Sequence, residues 1–141
     1  MEIALVRQRV LLTIDRAKRA ASERRTRMDE ASSDFRSFLD QVAVPLFRQV
    51  AAALKAESYT FNVFTPSHSV RLMSEKNASD FIEIVLDTTG DQPLVMGHVS
   101  RGRGQRVIES ERPIASGNVA DLVEEQLLEF VLKELEPFVE R

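Results

Sequence analysis

Along the first third of the chain, apolar residues recur with a period near 3.5. Stepping alternately by four and three from Ile3 gives Arg7, Val10, Ile14, Ala17, Ala21, Arg24, Met28, Ala31, Phe35, Phe38 and Val42, and only the two arginines interrupt the apolar line. No glycine or proline occurs from Met1 to Val44. A 3.5-residue period held this long is the pattern of a coiled-coil seam on a long helix. The alanines at 17, 21 and 31 imply close but thin packing at those levels.

Length gives this helix its functional interest. A continuous helix over residues 2–43 would run about 63 Å at 1.5 Å per residue. A compact globule of this chain length is about 37 Å across. Such a helix overhangs its own domain, and an overhanging apolar seam needs a partner, of which a second copy is the simplest. The competing arrangement breaks the helix at Ala31–Ser32–Ser33–Asp34, where serine or aspartate could cap a second helix and fold the chain into a hairpin. No glutamate follows either serine by three residues, so the capping-box signature is missing, and the seam passes through without losing phase. The continuous helix is therefore favoured. Pro45 is expected to end or kink it and to push Val44 out of the helical region. Proline also suits the first turn of a short second helix, whose face is Phe47, Val50, Ala51 and Leu54 and whose end is near Glu57.

After Ser58 the period changes to two. Tyr59–Thr65, Ser69–Glu75, Phe81–Asp87, Pro93–Ser100 and Gln105–Arg112 are short segments rich in β-branched and aromatic residues, separated by turn chemistry. The separators are too short for helical crossovers, so neighbours must pair antiparallel. In the third segment Ile82, Ile84 and Leu86 share one face and Glu83 lies on the other, which predicts one buried and one wetter sheet face. Ser116–Gly117–Asn118 is expected to open a last helix, with Asn118 as N-cap and Asp121 in the first turn. Its apolar face is Leu122, Val123, Leu127, Phe130, Val131 and Leu135, and Pro137 stops it. The fold class expected is α+β: a long N-terminal helix, a short second helix, a five-stranded antiparallel meander and a C-terminal helix packed on the sheet. Residues 1–44 form a dimerisation arm and 45–141 the globular domain.

Composition narrows the chemistry. The 141 residues are the size of one domain, with a hydrophobic fraction of 43% and a charged fraction of 29%, ordinary values for a folded soluble chain. There is no cysteine, which removes thiolate catalysis, thiolate metal sites and disulfides, and makes a reducing compartment the default. Neither a signal peptide nor an apolar run long enough to span a bilayer is read, so a cytoplasmic protein without membrane association is expected.

The net charge of −3 hides an asymmetry. Arg16, Lys18, Arg19, Arg24, Arg25 and Arg27 stand against Glu23 alone, whereas Asp121 to the end is strongly acidic. The basic stretch could lie along nucleic acid, with Arg16, Arg19 and Arg27 on phosphates. These cations are spread around the helix, however, and a solvated face pairing with the acidic last helix is the favoured alternative. The segment Ser100–Arg106 puts Arg101, Arg103 and Arg106 on a glycine-permissive turn, able to offer forked donors to phosphate or carboxylate. A solvated hairpin whose arginines protect a sheet edge is favoured over that. His68 and His98 have no second ligand at metal spacing, so neither metal nor cofactor is expected. His98 with Asp87 or Glu83 is a conceivable catalytic pair, but no spacing selects it.

The expected function is accordingly non-enzymatic: an interaction or adaptor module, homodimeric, acting as scaffold, chaperone-like or regulatory subunit with a further protein partner. The self-association seam expected is Val10, Ile14, Ala17, Ala21, Met28, Phe35 and Phe38. A nucleic-acid-associated protein is the alternative, and a small-ligand-binding protein or enzyme a third.

Overall fold

The computed structural model describes residues 1–140. One helix runs without interruption from Ile3 to Ala56, in three stretches: α1 (Ile3–Phe38), a π-helical turn (Leu39–Ala43) and α2 (Val44–Ala56). At 1.5 Å per residue it is about 80 Å long. The alternative break at Ala31–Asp34 does not form. Ser32, Ser33 and Asp34 lie on the exposed side of α1 while Ala31 and Phe35 are buried, so core packing keeps the helix continuous where local propensity is weak.

Pro45 neither ends the helix nor extends Val44. The φ and ψ of Val44 are −63° and −49°, within the helical region, and its N–H donates to the Leu39 carbonyl five residues back. A π-turn widens the backbone where the proline ring would otherwise meet the preceding turn. Pro45 lies on the exposed side, where the helix has room for that widening.

Five strands follow: β1 (Phe61–Phe64), β2 (Ser69–Ser74), β3 (Phe81–Asp87), β4 (Leu94–Arg103) and β5 (Arg106–Pro113). They form one antiparallel sheet in the order β1-β2-β3-β4-β5. The expected meander is thus present. The segment Arg101–Gly104, read from sequence as a loop, is mostly strand. β4 continues to Arg103, which pairs with Arg106, leaving a two-residue turn at Gly104–Gln105. Gly104 has φ +64°, as the first central position of a tight hairpin turn requires.

The last helix, α3 (Glu124–Val139), begins later than expected. Asn118 instead precedes a single 3-10 turn, Val119–Asp121, and makes no side-chain cap. The first turn of α3 is closed by Gln126, whose Oε1 accepts the Val123 N–H at 3.0 Å. Pro137 sits inside the final turn and does not stop the helix.

All helices pack on one face of the sheet. α2 covers β1 and β2, and α3 crosses β4 and reaches β1, where Phe138 meets Phe61 edge to face at 5.9 Å. Val70, Leu72, Ile82, Ile84, Val95 and Val99 face the helices and are nearly fully buried. From the long helix, Phe35, Phe38, Leu39, Ala43, Leu46, Phe47 and Val50 enter the same core. The helix therefore joins the globular domain well before residue 44.

Candidate functional site

The long helix changes character at Arg24. From there onward it is held by the domain: Arg24 Nη2 donates to the carbonyls of Thr88 and Gly90, both at 3.1 Å, and Arg27 Nη2 to that of Asp91 at 3.3 Å. Met28 is half-buried and Ala31 buried. Before Arg24 every residue from Ile3 to Glu23 is exposed. This free arm is about 30 Å long and carries Ile3, Leu5, Val6, Val10, Leu11, Leu12 and Ile14, all exposed. Soluble monomers rarely leave so much contiguous apolar surface to water.

The seam read from sequence is thereby divided. Val10, Ile14, Ala17 and Ala21 lie open on the arm, with Ile14 44% exposed. Phe35 and Phe38 fill the chain's own core, Phe35 at 2% exposure. Arg24, the second interruption in the seam, is turned to the β3–β4 loop.

Of the basic residues, Arg19 pairs with Asp15 one turn before it at 2.9 Å, and Arg16 is exposed. The expected pairing of the basic stretch with the acidic last helix is not formed: among the described residues, no ion pair joins residues 16–27 to α3. Arg24 and Arg27 are instead bound to carbonyls of the β3–β4 loop, and the cations before them lie on the exposed part of the helix.

The β4–β5 register places Arg101, Arg103 and Arg106 on the same face of the hairpin, because side chains alternate along a strand and Arg103 stands opposite Arg106. This is the face on which α3 packs. Beside the last turn of α3 a hollow of about 430 Å³ lies between Arg101, Arg103, Gly104, Ile108, Pro137 and Glu140. Among the described residues none of the three arginines is in an ion pair. Nearer the middle of α3, Arg112 of β5 is paired with the buried Glu134.

The opposite sheet face, which the helices leave uncovered, is mixed: a polar cluster lies among the half-buried side chains of Met73, Phe81, Val85 and Met96. Arg71 Nε meets Glu83 Oε2 at 3.0 Å, Ser69 Oγ donates to the same oxygen, and the Arg71 guanidinium lies 4.1 Å from the Phe81 ring centroid. Phe81 meets the His98 ring edge to face at 5.3 Å. The nearest carboxylate to His98 is neither Asp87 nor that of its cross-strand neighbour Glu83, but Glu109, at 3.6 Å. Glu109 was not evident from sequence because the hairpin register depends on reading Gly104–Gln105 as a two-residue turn. The Asp87 carboxylate is held by the hydroxyl and backbone N–H of Thr89, which keep its pKa below the usual carboxylate range. Replacing Arg71 with methionine leaves Glu83, at 7% exposure, without its guanidinium. The expected cost is about 1–2 kcal/mol, below that of a fully buried pair because the Arg71 side chain keeps some contact with water. A urea titration of Arg71→Met measures it; an unchanged midpoint would count against this account of the face.

His68, at φ +63°, lines a groove of about 730 Å³ between α1 and the sheet, together with Arg36, Asp40 and Ser32. Among the described residues no three histidine, aspartate or glutamate side chains are grouped to hold a metal ion, and no helix is long and apolar enough to cross a membrane. No protein-family model, curated protein or solved structure matches the chain.

Proposed function

We propose that this protein is a non-enzymatic interaction module that works as a self-associated pair, and that the contact element is the free arm Ile3–Glu23. The observation that carries this reading is a helix exposed all round over those residues yet bearing seven large apolar side chains. Five of the seven, Ile3, Val6, Val10, Leu11 and Ile14, lie on or beside one heptad line, and an apolar line of that kind is ordinarily covered by another helix. The α+β domain behind it is a compact body that such a pair would hold in fixed relation, as a scaffold or regulatory subunit requires. Sedimentation equilibrium at tens of micromolar is the test: a mass of two chains is expected, and a clean monomer would overturn the reading.

A second reading rests on Arg101, Arg103 and Arg106 sharing one face of the β4–β5 hairpin around an open hollow. Guanidiniums so placed suit phosphate oxygens. On this reading a gel shift with single-stranded or duplex DNA at low salt shows retardation that weakens steeply as salt rises. Replacing the three arginines with glutamine abolishes it. No retardation at low salt removes this reading.

A further inference from the structure

The arm's side chains are large and small at different levels, and this distribution selects an orientation for its partner. On the seam, Ile3, Val10 and Ile14 are bulky, Ala17 and Ala21 are small, and Arg7 is a cation within the apolar line. Two arms side by side in the same direction put like beside like. Arg7 then faces Arg7, which sets two cations against each other inside the contact. Ala17 faces Ala17 and Ala21 faces Ala21, leaving the arm underfilled where it approaches the domain.

Opposite directions reverse both faults. With the two-fold axis at the level of Leu12, Ile3 lies beside Ala21 of the second copy, Arg7 beside Ala17, and Val10 beside Ile14. The outer layers then join a large side chain to an alanine, and the central layers join Val10 to Ile14. The Arg7 stem lies over an alanine methyl and its guanidinium reaches water at the edge of the seam. The residues flanking the seam agree: in this register Leu11 meets Leu11 of the second copy and Val6 meets Ala20, with no like charges opposed. The extent of the arm agrees as well. The layers run from Ile3 to Ala21, and the next seam residue, Arg24, is already occupied by the β3–β4 loop.

We propose that two copies of this chain pair their arms antiparallel, with Ile3 of one beside Ala21 of the other and Val10 beside Ile14, so that the two α+β domains stand at opposite ends of a shared two-helix rod. This rests on the self-association proposed above and adds its orientation and register. The partner is a second copy because the arm completes its own layers. Leu5 and Leu12 lie on the far side of the helix and take no part in this seam.

The absence of cysteine makes the test direct. Ile3→Cys and Ala21→Cys are both on the exposed arm, so neither challenges the fold. Each variant is oxidised alone and then after the two have been mixed and allowed to exchange subunits. Disulfide formation needs Cα atoms within about 7 Å. In the antiparallel register two copies of Ile3 are about 27 Å apart along the rod. The expected result is a cross-linked dimer in the mixture only, with each variant alone remaining uncross-linked. Cross-linking of either variant alone overturns the orientation in favour of parallel arms. No cross-link in any sample, from protein that sediments as a dimer, overturns the register. Sedimentation as a monomer overturns the underlying self-association instead. Leu5→Ser/Leu12→Ser is expected to leave both the dimer and the mixed cross-link intact, and loss of the dimer in that variant would place the contact on the wrong side of the helix.

Discussion

Replacing Gly97 with valine is expected to lower the unfolding free energy by about 3 kcal/mol, at the upper end of the usual range for overpacking a core. Gly97 lies on the covered face of β4, directly beneath Phe130 of α3. A Cβ at that position would be 2.1 Å from Phe130 Cζ and under 3 Å from two further ring atoms. The ring has no simple escape, because Phe130 is itself 9% exposed and α3 is fixed on either side of it by Leu127, Val131 and Leu135. Phe130→Ala alone should cost about 3–5 kcal/mol through the cavity it leaves. The double variant is the sharper test. Valine at 97 fills part of the space vacated by the ring, so the two losses should fall short of additivity by more than 1 kcal/mol. Urea titration of all four proteins gives the cycle. A stable Gly97→Val protein, or strict additivity, would mean that α3 does not cross β4 as described.

That contact was invisible in the sequence, and the reason is physical. Period-two alternation marks Val95 and Val99 as inward positions, but glycine between them has no hydropathy to read, and its meaning lies in an element more than twenty residues further on. What sequence does carry is local. The five strands were recognisable because β-branched residues alternate and the connections contain glycine, proline or short polar runs. Continuity of the long helix was recognisable because the apolar phase survives Ser32 and Ser33. Proline was misjudged twice, at 45 and at 137, because its rules assume an unwidened helix interior. The π-turn at Leu39–Ala43 accommodates Pro45, and Pro137 falls in a final turn with little helix left to disrupt. The polar cluster on the uncovered sheet face escaped for a third reason. Arg71, Glu83, His98 and Glu109 come from four strands, and only the register brings them together.

The seam shows most plainly where periodicity stops being informative, and it supplies the other large expected effect. Ile14 and Phe35 fall on the same 3.5-residue line, and nothing in the pattern distinguishes them. In the fold one faces water and the other lies in the core. Phe35→Asp removes an aromatic side chain and places a carboxylate at a site 2% exposed. The expected loss exceeds about 4 kcal/mol, comparable to the entire stability of many domains of this size. Circular dichroism should show a protein largely unfolded at 25 °C or melting far below the parent. Ile14→Asp, at 44% exposure, removes no intramolecular core contact. Its effect on the thermal unfolding of the domain should stay within about 0.5 kcal/mol, apart from whatever stability dimerisation itself confers. Its sedimentation should show one chain where the parent shows two, since an aspartate in the Val10–Ile14 layer sets two unpaired carboxylates inside the proposed contact. A dimeric Ile14→Asp protein would place the contact elsewhere. A folded but monomeric Phe35→Asp protein would mean that the seam runs on past Arg24 as an intermolecular surface, and that α1 does not enter its own domain at Ala31.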